Sequence, residues 1–220
     1  MLSLPREQLQ GKPAEVNSAI QKFADSQGLP MLFGEAKSKL ALQALAEMSP
    51  APKMIVEFGA FVGGSAIAWG AALRDLNGAN AADVRVYTFE LDPDVAETTR
   101  AMLKLAGLDD IVTVVVGPAS DSLKRLYAEG KIKESGVDMV FFDHWKEFYL
   151  PDLKLCEELS LFRNGSLAIA DNIDFPGAPD YLAYVQKGGD GGNGSVRYET
   201  KSLEAGNAQD RVIEISKVVI

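Results

Sequence analysis

A chain of 220 residues with 47% apolar and 24% charged residues can bury the core of one α/β domain, and its composition is neither disordered nor membrane-like. A net charge of −9 lacks the basic face that nucleic-acid phosphates require, and one cysteine, Cys156, excludes an intramolecular disulfide. The N-terminal MLSLPREQLQGKP has no basic-then-apolar signal pattern and no run approaches a membrane span, so the expectation is a cytoplasmic protein.

Residues 1–50 read as helical, with no strand-like run. Residues 14–27 carry Val16, Ala19, Ile20 and Phe23 at helical spacing and stop at Gly28. Residues 35–48 repeat the pattern through Ala36, Leu40, Ala44, Leu45 and Met48, and Ser49-Pro50 ends it. The linker between them, LPMLFG, is apolar, so Met31, Leu32 and Phe33 read as a pocket wall or as packing against the second helix. From Lys53 strands at 54–58, 84–89 and 111–116 alternate with helices at 65–76, 94–106 and 120–129. Two short apolar runs, 139–142 and 167–170, read as buried strands joined by a helix over 149–162 that Asn164-Gly165 closes. A helix at 178–186, a flexible glycine-rich loop at 188–194 and strands at 196–200 and 211–215 finish the chain. Such alternation predicts a mostly parallel sheet covered on both faces, in one domain: helices over 1–50 and an α/β core over 51–220.

The stretch from 137 to 172 organises the rest. Its two strands end in Asp143 and Asp171, and a right-handed crossover sets them parallel. Asp143, Asp171 and Asn172 then meet at the carboxyl edge, where open α/β sheets place ligands. Three oxygen donors without a thiolate suit a hard divalent cation, Mg²⁺ before zinc. Lys146 follows closely enough to serve as a base once a cation and burial depress its pKa. A single strand-end acid is most simply a solvated loop residue. Two at matching ends, one followed by Asn and the other by His-Trp-Lys, favour a site.

Glu57-Phe-Gly59-Ala-Phe-Val-Gly63-Gly64-Ser65 links the first strand to its helix, the nucleotide position of such folds. It is not the dinucleotide fingerprint, because Phe61 stands where backbone would approach a pyrophosphate. Glu90 ends the second strand, the place from which an acid accepts bonds from ribose hydroxyls. A nucleoside with a free ribose, no pyrophosphate and a neighbouring Mg²⁺ site points to S-adenosylmethionine. Residues 117–121 would lie near its adenine. His144 and Trp145 pack on that ring, on an aromatic substrate, or simply in the core. Cys156 reads as inert packing, since a nucleophile would need His144 as its partner.

These residues resemble the catechol O-methyltransferase family over 34–215. The resemblance rests on Gly34-Glu-Ala-Lys37, the 57–65 turn, Phe89-Glu-Leu-Asp-Pro-Asp94, Met139-Val-Phe-Phe-Asp-His-Trp-Lys146, Tyr149-Leu-Pro-Asp152, Ala170-Asp-Asn172 and Pro176-Gly-Ala-Pro-Asp180. It implies a Rossmann-like class I SAM-dependent methyltransferase fold, α/β, with a mostly parallel seven-stranded sheet and extra N-terminal helices that cover the active site. It also implies methyl transfer to one hydroxyl of a catechol by a monomer, with no nucleic-acid or membrane partner. By the resemblance, Asp143, Asp171 and Asn172 hold Mg²⁺ and Lys146 is the general base. The implied cofactor contacts are Phe33, Gly59, Phe61, Ser65, Glu90, Leu91, Ser120, Asp143, His144 and Trp145. Met31, Lys146, Asn172, Pro176 and Glu204 would meet the acceptor, with Glu204 bonding its second hydroxyl.

The chain departs from the family's pattern at several positions. Leu29 stands where the family has tryptophan, Phe61 and Gly64 replace tyrosines, and Asp174-Phe175 is more polar and bulkier than usual. Catalysis is left intact while the choice of substrate opens. The alternatives are a cation-dependent O-methyltransferase of larger phenolics and a non-catalytic SAM-binding protein. A nicotinamide dehydrogenase is disfavoured by Phe61.

Overall fold

The computed structural model describes residues 5–29, 32–191, 196–205 and 212–220. Runs rich in β-branched and aromatic residues form the strands: β1 (Met54–Phe58), β2 (Arg85–Glu90), β3 (Val112–Val116), β4 (Val137–Phe142), β5 (Phe162–Ala170), β6 (Arg197–Glu204) and β7 (Val212–Val219). They build a seven-stranded sheet in the order β3-β2-β1-β4-β5-β7-β6. The first five are parallel, and β7 enters antiparallel between β5 and β6. Strand order reverses between β1 and β4. The crevice at their carboxyl ends is therefore the switch point at which such sheets hold ligands.

Eight α-helices are described: α1 (Arg6–Leu9), α2 (Pro13–Gln27), α3 (Glu35–Ala46), α4 (Gly64–Asn77), α5 (Pro93–Ala106), α6 (Ala119–Ala128), α7 (Tyr149–Glu158) and α8 (Pro179–Gln186). Alternate strand residues feed two cores. Val56, Phe58, Val140, Phe142 and Ala168 pack with α6, α7 and α8; Ile55, Val86, Met139, Phe141 and Ile169 pack with α1 to α5. Each large side chain sealed in this way contributes about 1.5–3 kcal/mol. Glycines at 28 and 107 end α2 and α5 in the left-handed conformation, satisfying the last carbonyls.

Three expectations need correction. The helix over 149–162 stops at Glu158, because Ser160 turns left-handed (φ 54) and its amide closes on Glu157. Asn164-Gly165 then lies inside β5, where the register against β4 shifts between Val137 and Met139 and Gly165 has φ 87. The buried stripe of α3 is Lys37, Ala41 and Leu45, whereas Ala36 is exposed. β6 and β7 are longer than the runs at 196–200 and 211–215 suggest, because hairpin pairing extends them. Met31, Arg211 and residues 192–194 of the glycine loop lie outside the described residues. Among the described residues, no helix is long and apolar enough to cross a membrane.

Candidate active site

Past Phe58 the chain leaves the sheet in a tight turn, with positive φ at Gly59 (103), Phe61 (45) and Gly63 (86). Gly59 lies against the loop after β4. A Cβ there would sit 2.6 Å from the Asp143 carbonyl oxygen. Gly59→Ala is therefore expected to prise the two loops apart and cost on the order of 2 kcal/mol or more, read as a lower urea midpoint. Glu90 fixes the other side of the turn: Phe61 N donates to its Oε2 (2.9 Å) and Asp92 N to its Oε1 (3.0 Å). Leu91 beside it is exposed, and Ser120 lies half-buried in the first turn of α6.

Pairing of Phe142 with Ala170 brings the two strand-end acids side by side. Asp143 N donates to Phe58 O (2.9 Å) and Asp171 N to Phe142 O (3.0 Å), so the sheet continues one residue into the site. Asn172 adopts the left-handed conformation (φ 55), which asparagine tolerates, and its Oδ1 accepts from Lys146 Nζ at 2.8 Å. Lys146 Nζ also reaches Tyr149 OH (2.5 Å) and stands 3.7 Å from Asp143 Oδ1. Tyr149 OH in turn donates to the Asp171 carbonyl at 3.1 Å. Lys37, buried on α3, grips both Asp171 oxygens at 2.7 and 2.9 Å. Burial and then the charge of Asp171 push the Asp143 carboxyl well above its usual range; Lys146 and Lys37 pull it back. Among the described residues no three His, Cys, Asp or Glu side chains cluster as metal ligands. Two carboxylates and one amide oxygen at these strand ends would suit a hard cation such as Mg²⁺.

His144 Nε2 lies 2.8 Å from Asp152 Oδ2, and its ring stacks on Tyr149 with centroids 5.2 Å apart. His144 therefore pairs with Asp152 rather than Cys156, which is buried with its thiol pushed up by desolvation. Trp145 is 72% exposed, which removes the core reading. Phe33 packs on Phe141 (centroids 4.8 Å) and Trp69 (5.9 Å). Phe33 and Ser65 also line a cavity of about 530 Å³ that α2 walls with Asn17 and Gln21; it includes neither strand-end acid. Pro176 is exposed after a cis peptide bond. Glu204 is exposed at the end of β6. The register puts it on the edge that carries Asn172, two strands over.

A family model described as "Methyltransferase domain" matches residues 56–173. Bovine catechol O-methyltransferase is 38% identical over 209 residues, covering 95% of this chain and 68% of the relative. The chain belongs to the catechol O-methyltransferase family. The mouse family member is 37% identical over 176 residues, 80% of this chain and 62% of its own length. The O-methyltransferase TomG of Streptomyces achromogenes, solved in complex with SAM, superposes with a TM-score of 0.72 at 23% identity over 94% of this chain and 90% of that one, a likeness of fold. The architecture is that of a class I SAM-dependent methyltransferase, and the chain is an O-methyltransferase.

Within this family framework, two charged residues beneath the site were not picked out as site residues in the sequence: Lys37 and Glu57. Glu57 is fully buried on β1, where Trp69 Nε1 (2.9 Å) and Thr88 Oγ1 (2.5 Å) donate to it and the Ser65 side chain bonds it. Desolvation outweighs these bonds and lifts its pKa from 4.5 to about 7. The native state thus holds this proton more tightly than the unfolded chain, so stability is lost as pH rises from 4.5 through about 7. Wild type should lose about 3 kcal/mol over that window relative to Glu57→Gln. Urea midpoints of both proteins at pH 5 and pH 8 read the difference. In both residues a charge sits within a buried stripe, and that was the available signal.

Proposed function

We propose that the protein transfers the methyl group of S-adenosylmethionine to one hydroxyl of a catechol, with Mg²⁺ held by Asp143, Asp171 and Asn172. The observation that supports this reading is the convergence of Lys146 Nζ on two of the three oxygen donors, 2.8 Å from Asn172 Oδ1 and 3.7 Å from Asp143 Oδ1. A divalent cation bound there would lower the pKa of the attacking hydroxyl and fix its aim.

Lys146, in its neutral form, takes the hydroxyl proton at Nζ, and Tyr149 holds that nitrogen in place. The freed phenolate oxygen bonds to the methyl carbon as the carbon–sulfur bond breaks, its electron pair passing to sulfur. Opposite charges neutralise as the methyl moves, so positioning supplies most of the acceleration. Glu90 accepts from the ribose hydroxyls of the donor, and exposed Trp145 and Leu91 cover its flanks. Glu204 bonds the second catechol hydroxyl across a gap of about 10 Å at sheet spacing, which its side chain and the diphenol together span.

Methyl transfer to catechol with and without EDTA tests this reading. Turnover that EDTA abolishes is the expected result; turnover indifferent to EDTA would overturn the metal assignment. Leu29, Phe148 and Phe175 are 41%, 51% and 60% exposed, which favours a second reading with larger phenolic acceptors. A panel of catechol and bulky diphenols, ranked by kcat/KM, separates the two.

A further inference from the structure

The buried contact between Lys37 and Asp171 points to a role for Lys37 that lies outside the reaction itself. Its ammonium is buried, donates to both oxygens of Asp171 and reaches them from α3, 134 positions away in sequence. Lys146 meanwhile touches Asn172 and stands close to Asp143. Lys37 and Lys146 thus lie against all three oxygen donors. One of the two carboxylates that a divalent cation would meet here already faces a buried ammonium. Most sites for such ions present a surplus of carboxylate.

We infer that Lys37 is a positioning residue that holds Asp171 at the cation site and lowers the site's affinity for the metal. The inference rests on the metal assignment proposed above. The physical argument is Coulombic. A cation coordinated by Asp171 would be repelled by the buried ammonium that holds the same carboxylate, where screening by water is weak. A lysine present only to brace α3 against β5 would have the opposite signature, because removing a brace loosens the ligands and weakens the metal.

Mn²⁺ binding to the full chain, followed by electron paramagnetic resonance without acceptor, distinguishes these. Lys37→Met and Lys37→Gln should bind Mn²⁺ about tenfold or more tighter than wild type, and Lys37→Arg, which keeps the charge, within about threefold of it. Equal or weaker binding by the neutral variants would overturn the inference. Should both neutral variants fail to fold, wild type still decides. Titration with Mg²⁺ must then shift the Lys37 ¹⁵Nζ resonance in step with occupancy, and an unmoved resonance overturns the role. Failure of the metal assignment looks different: no Mn²⁺ would bind to any of the proteins, even with S-adenosylmethionine and 4-nitrocatechol present.

Discussion

Lys146→Ala is expected to lower kcat for catechol methylation by about 10²–10⁴-fold, the usual contribution of a general base. Affinity for S-adenosylmethionine, measured by calorimetry, should stay at the wild-type value, because Lys146 works on the acceptor proton and is held by Tyr149, Asn172 and Asp143. Lys146→Arg sharpens the test. It keeps a positive charge near Asp143 but cannot give up its proton at any working pH. If Lys146 serves only as a charge, the arginine variant will recover activity. If it takes the proton, both variants are equally slow. Wild-type turnover by Lys146→Ala would overturn the assignment outright.

Asp171→Ala should remove both activity and much of the protein's stability. The carboxylate is a partner of a buried ammonium, and breaking such a buried pair costs about 3–5 kcal/mol. That is a large share of the total stability of a domain this size. Adding Lys37→Met to Asp171→Ala removes the buried ammonium as well and should restore most of the lost stability, read as the urea midpoint. It should restore none of the activity if Asp171 is a cation ligand. A double variant as unstable as the single one would show that the cost lies in packing rather than charge.

The strands and helices were legible because apolar runs of differing length and period alternate through the chain. β1 was fixed to the residue by MIVEF between two breaks, and the ends of α2 and α5 by Gly28 and Gly107. The α7–β5 junction was not legible. Leu159 and Phe162 continue the helical stripe of α7, and only the left-handed turn at Ser160 separates them from it. The acids of the candidate site could be read because each terminates a buried strand. Lys37 is not legible as a site residue because the apolar residues around it suggest a stripe through Ala36, whereas tertiary packing rotates the helix to bury Lys37, Ala41 and Leu45. Periodicity gives the existence of a face more firmly than its centre. Tyr149 and Asp152 appeared as motif letters, and their work as the props of Lys146 and His144 emerges only from the distances.

The Lys37–Asp171 pair also bears on what can be moved between relatives. The segment that matches the methyltransferase model, 56–173, contains Asp171, but its counter-ion arrives on α3, upstream of that segment. Cut at those limits or grafted onto another member's N-terminal helices, the catalytic half would carry a buried carboxylate whose balance depends on what the new neighbour happens to supply. Chimeras that exchange α3 together with the 56–173 segment preserve that balance, whereas chimeras divided at residue 50 can break it. In this chain the natural seam for recombination lies before Glu35.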